Sequence, residues 1–243
     1  MNMRTPTLRG LAALLTSIAV VIALTPTADA VTLNGNSKPN TLIGTNGNDV
    51  LNGKGGNDKL KGKGGDDLIK GGGGNDKAIG GGGNDTIKSG AGNDLIKGGD
   101  GNDKIIAVGG NDTIDGGGGN DSLKAGDGND LIKAGPGNDD IDGGLGDDTV
   151  WDGDGDDVIS LDEGDDILYL GNGKDVVYGE QGVQHIYATN DGVRDEIYCG
   201  ESDKDVLTYV GSRDDLDYLG AKSGCETVEV VQNPRLERLL SGR

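Results

Sequence analysis

The sequence predicts an all-β fold in which one turn and one short strand are repeated along the chain. The first observation is an Asp that returns every nine residues between residues 47 and 180. The second is its surroundings, since Gly precedes each of these Asp residues by two positions and an apolar residue follows two positions later. The third is the composition: 33% of the residues are hydrophobic and Phe is absent, too little for a wide globular core.

The periodic Asp residues are the candidate functional residues of the chain. A random Gly-rich linker has no reason to keep a fixed period, so the spacing predicts ordered structure even though 49 of the 243 residues are Gly. The fifteen positions are Asp49, Asp58, Asp67, Asp76, Asp85, Asp94, Asp103, Asp112, Asp121, Asp130, Asp139, Asp148, Asp157, Asp166 and Asp175.

Each nine-residue unit is predicted to contain one turn and one strand. Gly suits the positive-φ positions of a turn, and Asn tolerates them better than other residues do. The three residues after each Asp are predicted to form the strand, as in Thr86-Ile87-Lys88, with the middle side chain pointing inward. Two units then make one coil of 18 residues, so that successive units lie on opposite sheets. At the usual strand spacing, the coils from Asp49 to Asp175 span about 34 Å.

This coil arranges the Asp residues in two columns, in which neighbours lie about 5 Å apart. The first column is Asp49, Asp67, Asp85, Asp103, Asp121, Asp139, Asp157 and Asp175, and the second is Asp58, Asp76, Asp94, Asp112, Asp130, Asp148 and Asp166. Carboxylates at that distance repel each other by roughly 1 kcal/mol in water, and by more in a less polar environment. One Ca²⁺ ion, which takes six to eight oxygen ligands, fits between two such turns, and the gaps predict up to about 13 sites.

The unit G-G-x-G-N-D-x-(I/L)-x, seen in Gly81-Gly82-Gly83-Asn84-Asp85-Thr86-Ile87, resembles the hemolysin-type or RTX calcium-binding repeat family. The resemblance covers more than half of the chain. It implies a right-handed parallel β-roll that binds several Ca²⁺ ions, with backbone carbonyls of the glycine turns as the remaining ligands. Because an unfolded chain has no preformed site, folding is expected to be coupled to calcium.

No enzymatic activity is predicted. Members of the family often carry a protease, lipase or toxin domain before the repeats, and the segments predicted here before the first repeat leave no room for one. The sequence has no H-E-x-x-H, G-x-S-x-G or P-loop motif, and His185 is its single His. Paired carboxylates could serve a glycosidase, but calcium is expected to occupy them.

Residues 1–30 are predicted to be a secretory signal peptide. Arg4 and Arg9 give a basic start, and the apolar run over residues 11–24 is shorter than the roughly 20 residues of a membrane span. Ala28-Asp29-Ala30 fits a cleavage site after Ala30. The protein is therefore expected to be secreted and extracellular, with an uncleaved anchor as the alternative. Many RTX proteins carry an uncleaved C-terminal secretion signal instead, and this chain departs from that pattern.

The remaining chain divides into four predicted segments. They are an N-terminal lead-in and cap at 31–46, the calcium-binding roll at 47–180, degenerate repeats with a C-terminal cap at 181–231, and a tail at 232–243. In the third segment Gln184 replaces a turn Asp, so no ligand is expected there. Four acidic residues of that segment are left open as further metal ligands: Asp191, Asp195, Asp205 and Asp214.

Cys199 and Cys225 are the only cysteines. An even pair behind a signal peptide predicts a disulfide bond, which is expected to staple the C-terminal cap. The surrounding segments, 191–200 and 224–228, resemble the closing region of secreted actinobacterial calcium-binding repeat proteins.

Five aromatic residues of the roll and cap are predicted to form an outward row, which leaves two interpretations open. The row consists of Trp151, Tyr169, Tyr178, Tyr187 and Tyr198. The rings either pack along the strands or bind extracellular or cell-surface polysaccharide, which would make the chain a calcium-stabilised adhesin or carbohydrate-binding surface protein. The net charge of −20, without a basic stripe, disfavours nucleic acid and anionic membranes and favours calcium ions as partners.

Overall fold

The structure, a computed structural model, consists of parallel β-strands. It describes residues 19–22, 29–189, 191, 193, 195–200, 204–210, 225 and 227–230, and within these ranges it contains 22 strands and no helix. Most of the predicted signal peptide, the whole 232–243 tail and Asp214 lie outside the described residues. No helix in the described part of the chain is long and apolar enough to cross a membrane.

The strands form two parallel sheets that alternate along the chain. The larger sheet contains the odd-numbered strands and β22, in the order β1-β3-β5-β7-β9-β11-β13-β15-β17-β19-β21-β22, and the smaller contains β2 to β20 in even numbers. Within the periodic region each strand pairs with the strand 18 residues away, as Ile105 of β10 pairs with Ile87 and with Leu123. The predicted all-β fold and the placement of successive units on opposite sheets are therefore confirmed.

The strand bounds follow the nine-residue period. The larger sheet contains β1 (Ala19–Ile22), β3 (Asn40–Ile43), β5 (Lys59–Gly64), β7 (Lys77–Gly82), β9 (Leu95–Asp100), β11 (Thr113–Gly118), β13 (Leu131–Lys133), β15 (Thr149–Trp151), β17 (Ile167–Leu170), β19 (His185–Thr189), β21 (Val206–Val210) and β22 (Thr227–Val230). The smaller contains β2 (Thr32–Asn34), β4 (Val50–Gly55), β6 (Leu68–Gly73), β8 (Thr86–Ala91), β10 (Lys104–Gly109), β12 (Ser122–Asp127), β14 (Asp140–Leu145), β16 (Val158–Glu163), β18 (Val176–Tyr178) and β20 (Glu196–Tyr198).

Strand β1 lies inside the segment predicted as a signal peptide. Its residues Ala19–Ile22 pair with Asn40–Ile43 of β3 at the end of the larger sheet. The apolar run therefore has strand geometry where the structure describes it, and the signal peptide stays a prediction.

Most strands of the roll are longer than the sequence predicted. The prediction confined each strand to the three residues after the Asp, whereas β4 to β12 each contain six residues. The glycine-rich half of the unit continues the pairing, since Gly72 and Gly73 pair with Gly90 and Ala91 of the next coil. Glycine lowers intrinsic strand propensity, but pairing with similar backbone on neighbouring coils overrides that preference.

The core is a narrow double column of side chains. The apolar residue two positions after each Asp is buried, as predicted, with Ile87, Ile105 and Ile141 at most 1% exposed. Alternation along the longer strands points a second residue inward, five positions before the next Asp, and this position was missed by the sequence analysis. It is often Gly, and six units have a small or apolar residue there: Ser89, Ala107, Ala125, Ala134, Leu161 and Leu170. Because glycine has no side chain, this position shows no hydrophobic pattern in the sequence.

The turns use glycine as expected, but they use asparagine differently. Gly72 and Gly74 have positive φ angles of 116° and 111°. None of the described Asn residues has positive φ, which corrects the expectation. The Asn side chain instead accepts a hydrogen bond from the next coil: the N–H of Asn75 donates to Oδ1 of Asn57 at 3.0 Å. The Asn column therefore ties the turns together along the outside of the roll.

Val108→Gly is expected to stabilise the roll by up to about 1 kcal/mol. Val108 has a φ of 99°, which a β-branched residue adopts at a cost, and most other units have Gly at its position. Its side chain is 55% exposed, so little packing is lost. Urea unfolding in saturating calcium measures the change.

Val158→Gly is the matched control for this substitution. Val158 is a similarly exposed valine that does not have positive φ, so its replacement is expected to lower stability. An equal decrease in the free energy of unfolding in the two variants would show that the Val108 backbone is not strained.

The aromatic residues form two stacked columns on the outer faces. The ring centroids of Trp151 and Tyr169 are 4.8 Å apart, those of Tyr169 and Tyr187 are 5.2 Å apart, and those of Tyr178 and Tyr198 are 5.3 Å apart. Lys133 Nζ lies 5.4 Å from the Trp151 centroid. Because the rings cover each other's faces, the geometry favours packing along the strands over a platform for sugars.

The C-terminal cap contains the predicted disulfide bond. Cys199 and Cys225 are joined, with Cα atoms 5.2 Å apart and a sequence separation of 26. The bond connects the end of β20 to the segment before β22, so it fastens the last described strand to the coils beneath it.

Candidate metal centre

All fifteen predicted Asp residues lie inside the turns as two continuous columns. Their side chains are at most 3% exposed. Each Asp directly precedes a strand, and from Asp67 onward the N–H of the first strand residue donates to the carbonyl of the Asp one coil earlier, as Thr113 N donates to Asp94 O at 2.9 Å. The sheet register therefore stacks the carboxylates in line.

One carboxylate oxygen of each Asp is used to stack the coils. From Asp67 onward, Oδ1 accepts a hydrogen bond from the backbone N–H of the preceding Asp in its column, so Asp94 N donates to Asp112 Oδ1 at 2.7 Å, and Asp112 N donates to Asp130 Oδ1 at 2.6 Å. The same bond recurs along both columns, at 3.0 Å between Asp157 N and Asp175 Oδ1. The backbone thus holds each carboxylate in a single orientation.

The other oxygen, Oδ2, has no hydrogen bond. From Asp58 to Asp175, every Oδ2 of the two columns is buried without a protein partner. Asp49 at the start of the first column differs, because its Oδ2 accepts a hydrogen bond from Thr45 N at 2.5 Å. A buried carboxylate oxygen without a partner carries a large desolvation cost, and a bound cation would offset that cost.

At eight of the fifteen positions that lie five residues before a column Asp, a glycine leaves the space around Oδ2 open. A Cβ placed on Gly62 would collide with Asp67 Oδ2 and would lie 2.8 Å from the carbonyl oxygen of Gly80. A Cβ on Gly53 would meet Asp58 Oδ2 and the Gly71 carbonyl oxygen in the same way. A carboxylate oxygen and a carbonyl oxygen of the next coil therefore face the same small space. Calcium prefers this kind of all-oxygen environment.

Burial and mutual repulsion make the columns electrostatically unfavourable at neutral pH. Desolvation is the main cause that raises the carboxyl pKa, the backbone hydrogen bond to Oδ1 opposes it, and neighbouring carboxylates raise the pKa further. The pKa reaches about 7 for Asp85, Asp112, Asp139, Asp148 and Asp175. It reaches about 6 for Asp67, Asp76, Asp103, Asp157 and Asp166.

Comparison with protein families agrees with this geometry. The family model described as RTX calcium-binding nonapeptide repeat matches residues 32–60, 53–87, 79–114, 115–150 and 151–183, more than half of the chain. The chain belongs to the RTX calcium-binding repeat family. Its repeats are thus calcium-binding repeats, and the first match begins before Asp49, in the segment predicted as a lead-in. A comparison with curated proteins finds no match.

The RTX columns continue into the C-terminal cap, although the nine-residue period is lost there. Asp175 N donates to Asp195 Oδ1 at 3.1 Å, so Asp195 extends the first column across a spacing of 20 residues. In the second column Gln184 N donates to Asp205 Oδ1 at 2.9 Å across 21 residues. Gln184 itself is fully buried, and its Nε2 donates to the Gly164 carbonyl at 3.1 Å. The insertions hide this continuation from a periodicity search.

Asp191 contributes to the cap in a different way. It is exposed, and its Oδ2 accepts a hydrogen bond from Gly173 N at 2.7 Å. Of the four acidic residues left open by the sequence, Asp195 and Asp205 therefore join the columns and Asp191 does not.

Sequence analysis missed one buried acidic residue inside the RTX roll. Asp152 occupies the inward position five residues before Asp157, where other units have glycine or a small or apolar residue. It is fully buried and lies against Asp157 and Asp175 of the first column. A comparison of this position between units would have found it, because Asp appears there in a single unit of the roll.

Proposed function

We propose that this RTX chain is a secreted, non-enzymatic calcium-binding repeat protein whose folding is coupled to calcium. The observation that carries the proposal is the row of buried Oδ2 atoms without hydrogen-bond partners. In the units with glycine five residues before the Asp, Oδ2 and a backbone carbonyl of the next coil face a space that a side chain would close, as Asp67 Oδ2 and the Gly80 carbonyl do beside Gly62. Calcium bound between adjacent coils supplies positive charge and accepts these oxygens as ligands.

The ligand set in the proposal comes from the two Asp columns. The fifteen predicted Asp residues supply carboxylate oxygens and the glycine-rich turns supply carbonyl oxygens. Asp49 is the weakest contributor, because Thr45 already satisfies its Oδ2. Sites at the ends of the columns therefore bind calcium less tightly than sites in the middle.

Secretion in the proposal rests on two independent features. Residues 1–30 have the pattern of a signal peptide. The Cys199–Cys225 bond suits an oxidising compartment, in which millimolar calcium is also available. The absence of an enzymatic role in the proposal follows from calcium occupation of the paired carboxylates.

Calorimetric titration of the calcium-free protein tests the proposal. Binding of many ions per chain is expected, up to about 13, with affinities in the range of extracellular sites, about 10⁻⁴–10⁻³ M, and with cooperativity from coupled folding. Magnesium is the control, because it demands stricter octahedral geometry and releases its water reluctantly. Binding of a single ion, or equal heats for the two metals, would contradict the proposal.

A further inference from the structure

Asp152 differs from every other acidic side chain of the roll in its position. Asp residues of the columns directly precede a strand, whereas Asp152 follows β15 and lies at the inward position of the core. Its side chain is 0% exposed. Its Oδ1 accepts hydrogen bonds from the N–H groups of Gly153 and Gly171, both at 2.8 Å. Two backbone donors therefore orient the carboxyl group firmly.

The carboxyl group of Asp152 lies beside two further carboxylates. Oxygen atoms of Asp152, Asp157 and Asp175 all lie within 4.8 Å of one another. Asp157 and Asp175 are each 1% exposed, and Oδ2 of all three residues is buried without a hydrogen-bond partner. Three buried carboxylates, each with one oxygen that lacks a hydrogen-bond partner, thus lie together at one point of the first column.

No basic side chain balances this cluster among the described residues. The ion pairs found there are Lys97–Asp115, Lys124–Asp142 and Lys174–Glu196, and none includes a member of the cluster. Unbalanced carboxylates in a buried position are strongly unfavourable unless protons or a cation neutralise them. Backbone N–H groups orient all three side chains, because Oδ1 of each accepts at least one hydrogen bond from the backbone.

We propose that Asp152, Asp157 and Asp175 form a distinct, high-affinity cation centre within the roll. Other gaps of the columns have two carboxylates, and this one has three. Ligand charge count is a main determinant of calcium affinity, so the centre fills before the other sites. It selects calcium and trivalent lanthanides over magnesium, because the buried oxygens leave little room for retained water. The inference rests on the proposed calcium binding by the array.

Terbium provides a direct probe, because Trp151 is the single Trp of the chain and precedes Asp152. Terbium bound at the centre is expected to show Trp-sensitised emission that saturates at one ion per chain. Calcium back-titration, with magnesium as the control, then reports the affinity of the centre. The full chain is used in this titration.

Asp152→Asn and Asp154→Asn form a matched pair of variants. Both remove one negative charge from the same turn at nearly constant volume, but Asp154 is exposed, accepts a hydrogen bond from Asn172, and acts on Asp157 only through its charge. Asp152→Asn is expected to weaken the first terbium and calcium site by about tenfold or more. Asp154→Asn is expected to change the affinity of this site by no more than about twofold.

The outcomes separate the inference from the proposed function. An unchanged tight site in Asp152→Asn would overturn the three-carboxylate centre and leave calcium binding by the array intact. Absence of calcium binding in the unmodified chain would overturn both. Asp152→Gly, which restores the residue of most other units, replaces Asp152→Asn if circular dichroism in calcium shows that the latter is unfolded, and the same loss is expected.

Discussion

Removal of calcium at neutral pH is expected to abolish the β-structure of the roll. Without the ion, both columns hold buried carboxylates with no partner at Oδ2, and each faces like charges one coil away. Uncompensated buried charges cost several kcal/mol each. A solenoid with a core of two thin columns of Ile, Leu, Val and Ala has little hydrophobic burial with which to offset repeated costs of this size.

Far-UV circular dichroism in excess EDTA and in millimolar calcium measures this effect. A disordered spectrum is expected in EDTA and a β-spectrum in calcium, with full recovery when calcium is returned. Magnesium at the same concentration is the control and is expected to restore little structure. Identical ordered spectra under all conditions would show that the roll is stable without the ion.

Mild acid is expected to restore the fold without calcium. Burial raises the pKa of ten of the column carboxyls from 3.8 to about 6 or 7, so between pH 3.8 and these values the folded state binds more protons than the unfolded chain. When the folded state binds more protons than the unfolded chain, the free energy of unfolding decreases as pH rises. The stabilisation that proton binding gives the folded state is complete below about pH 4 and is lost as pH rises through 6 to 7. Below this range protons neutralise the carboxylates in the place of calcium.

A pH series in EDTA measures this recovery. Conditions near pH 5.5 are suitable, because they lie below the raised pKa values and above the isoelectric point of about 4.2, where aggregation would interfere. In calcium the trend is expected to reverse, because protons compete with the metal for carboxylates and acid raises the calcium concentration needed for folding. A chain that stays disordered in EDTA at pH 5.5 would contradict the argument.

Much of the fold could be predicted because the sequence repeats one local pattern of turn and strand residues. Every unit contains the same Gly, Asp and apolar positions, so a wrong prediction for one unit does not change the prediction for the next. The register of 18 residues, seen where Asp112 N reaches Asp130 Oδ1, follows from two units per coil. The Cys199–Cys225 bond was also predictable, because two cysteines allow one intramolecular pairing.

Features that depend on several coils at once could not be predicted in this way. The six-residue strands exist because the glycine-rich backbone of one coil pairs with that of the coils on both sides, as Gly99 pairs with Gly81 and with Gly117. Asp195 and Asp205 enter the columns through insertions that break the period. Asp152 belongs to a carboxylate cluster because the fold brings it close to Asp175, which lies more than one full coil later in the chain.

The sequence by itself determined the coil, the two columns and the cation that they suit, because these follow from the local period and the chemistry of carboxylates. Only the tertiary structure decided which oxygens stay without partners and where a third carboxylate joins a column. The reason is that Oδ1 and Oδ2 are equivalent in the sequence. Stacked coils make them different, since the backbone of one coil satisfies Oδ1 of the next and leaves Oδ2 facing the turn.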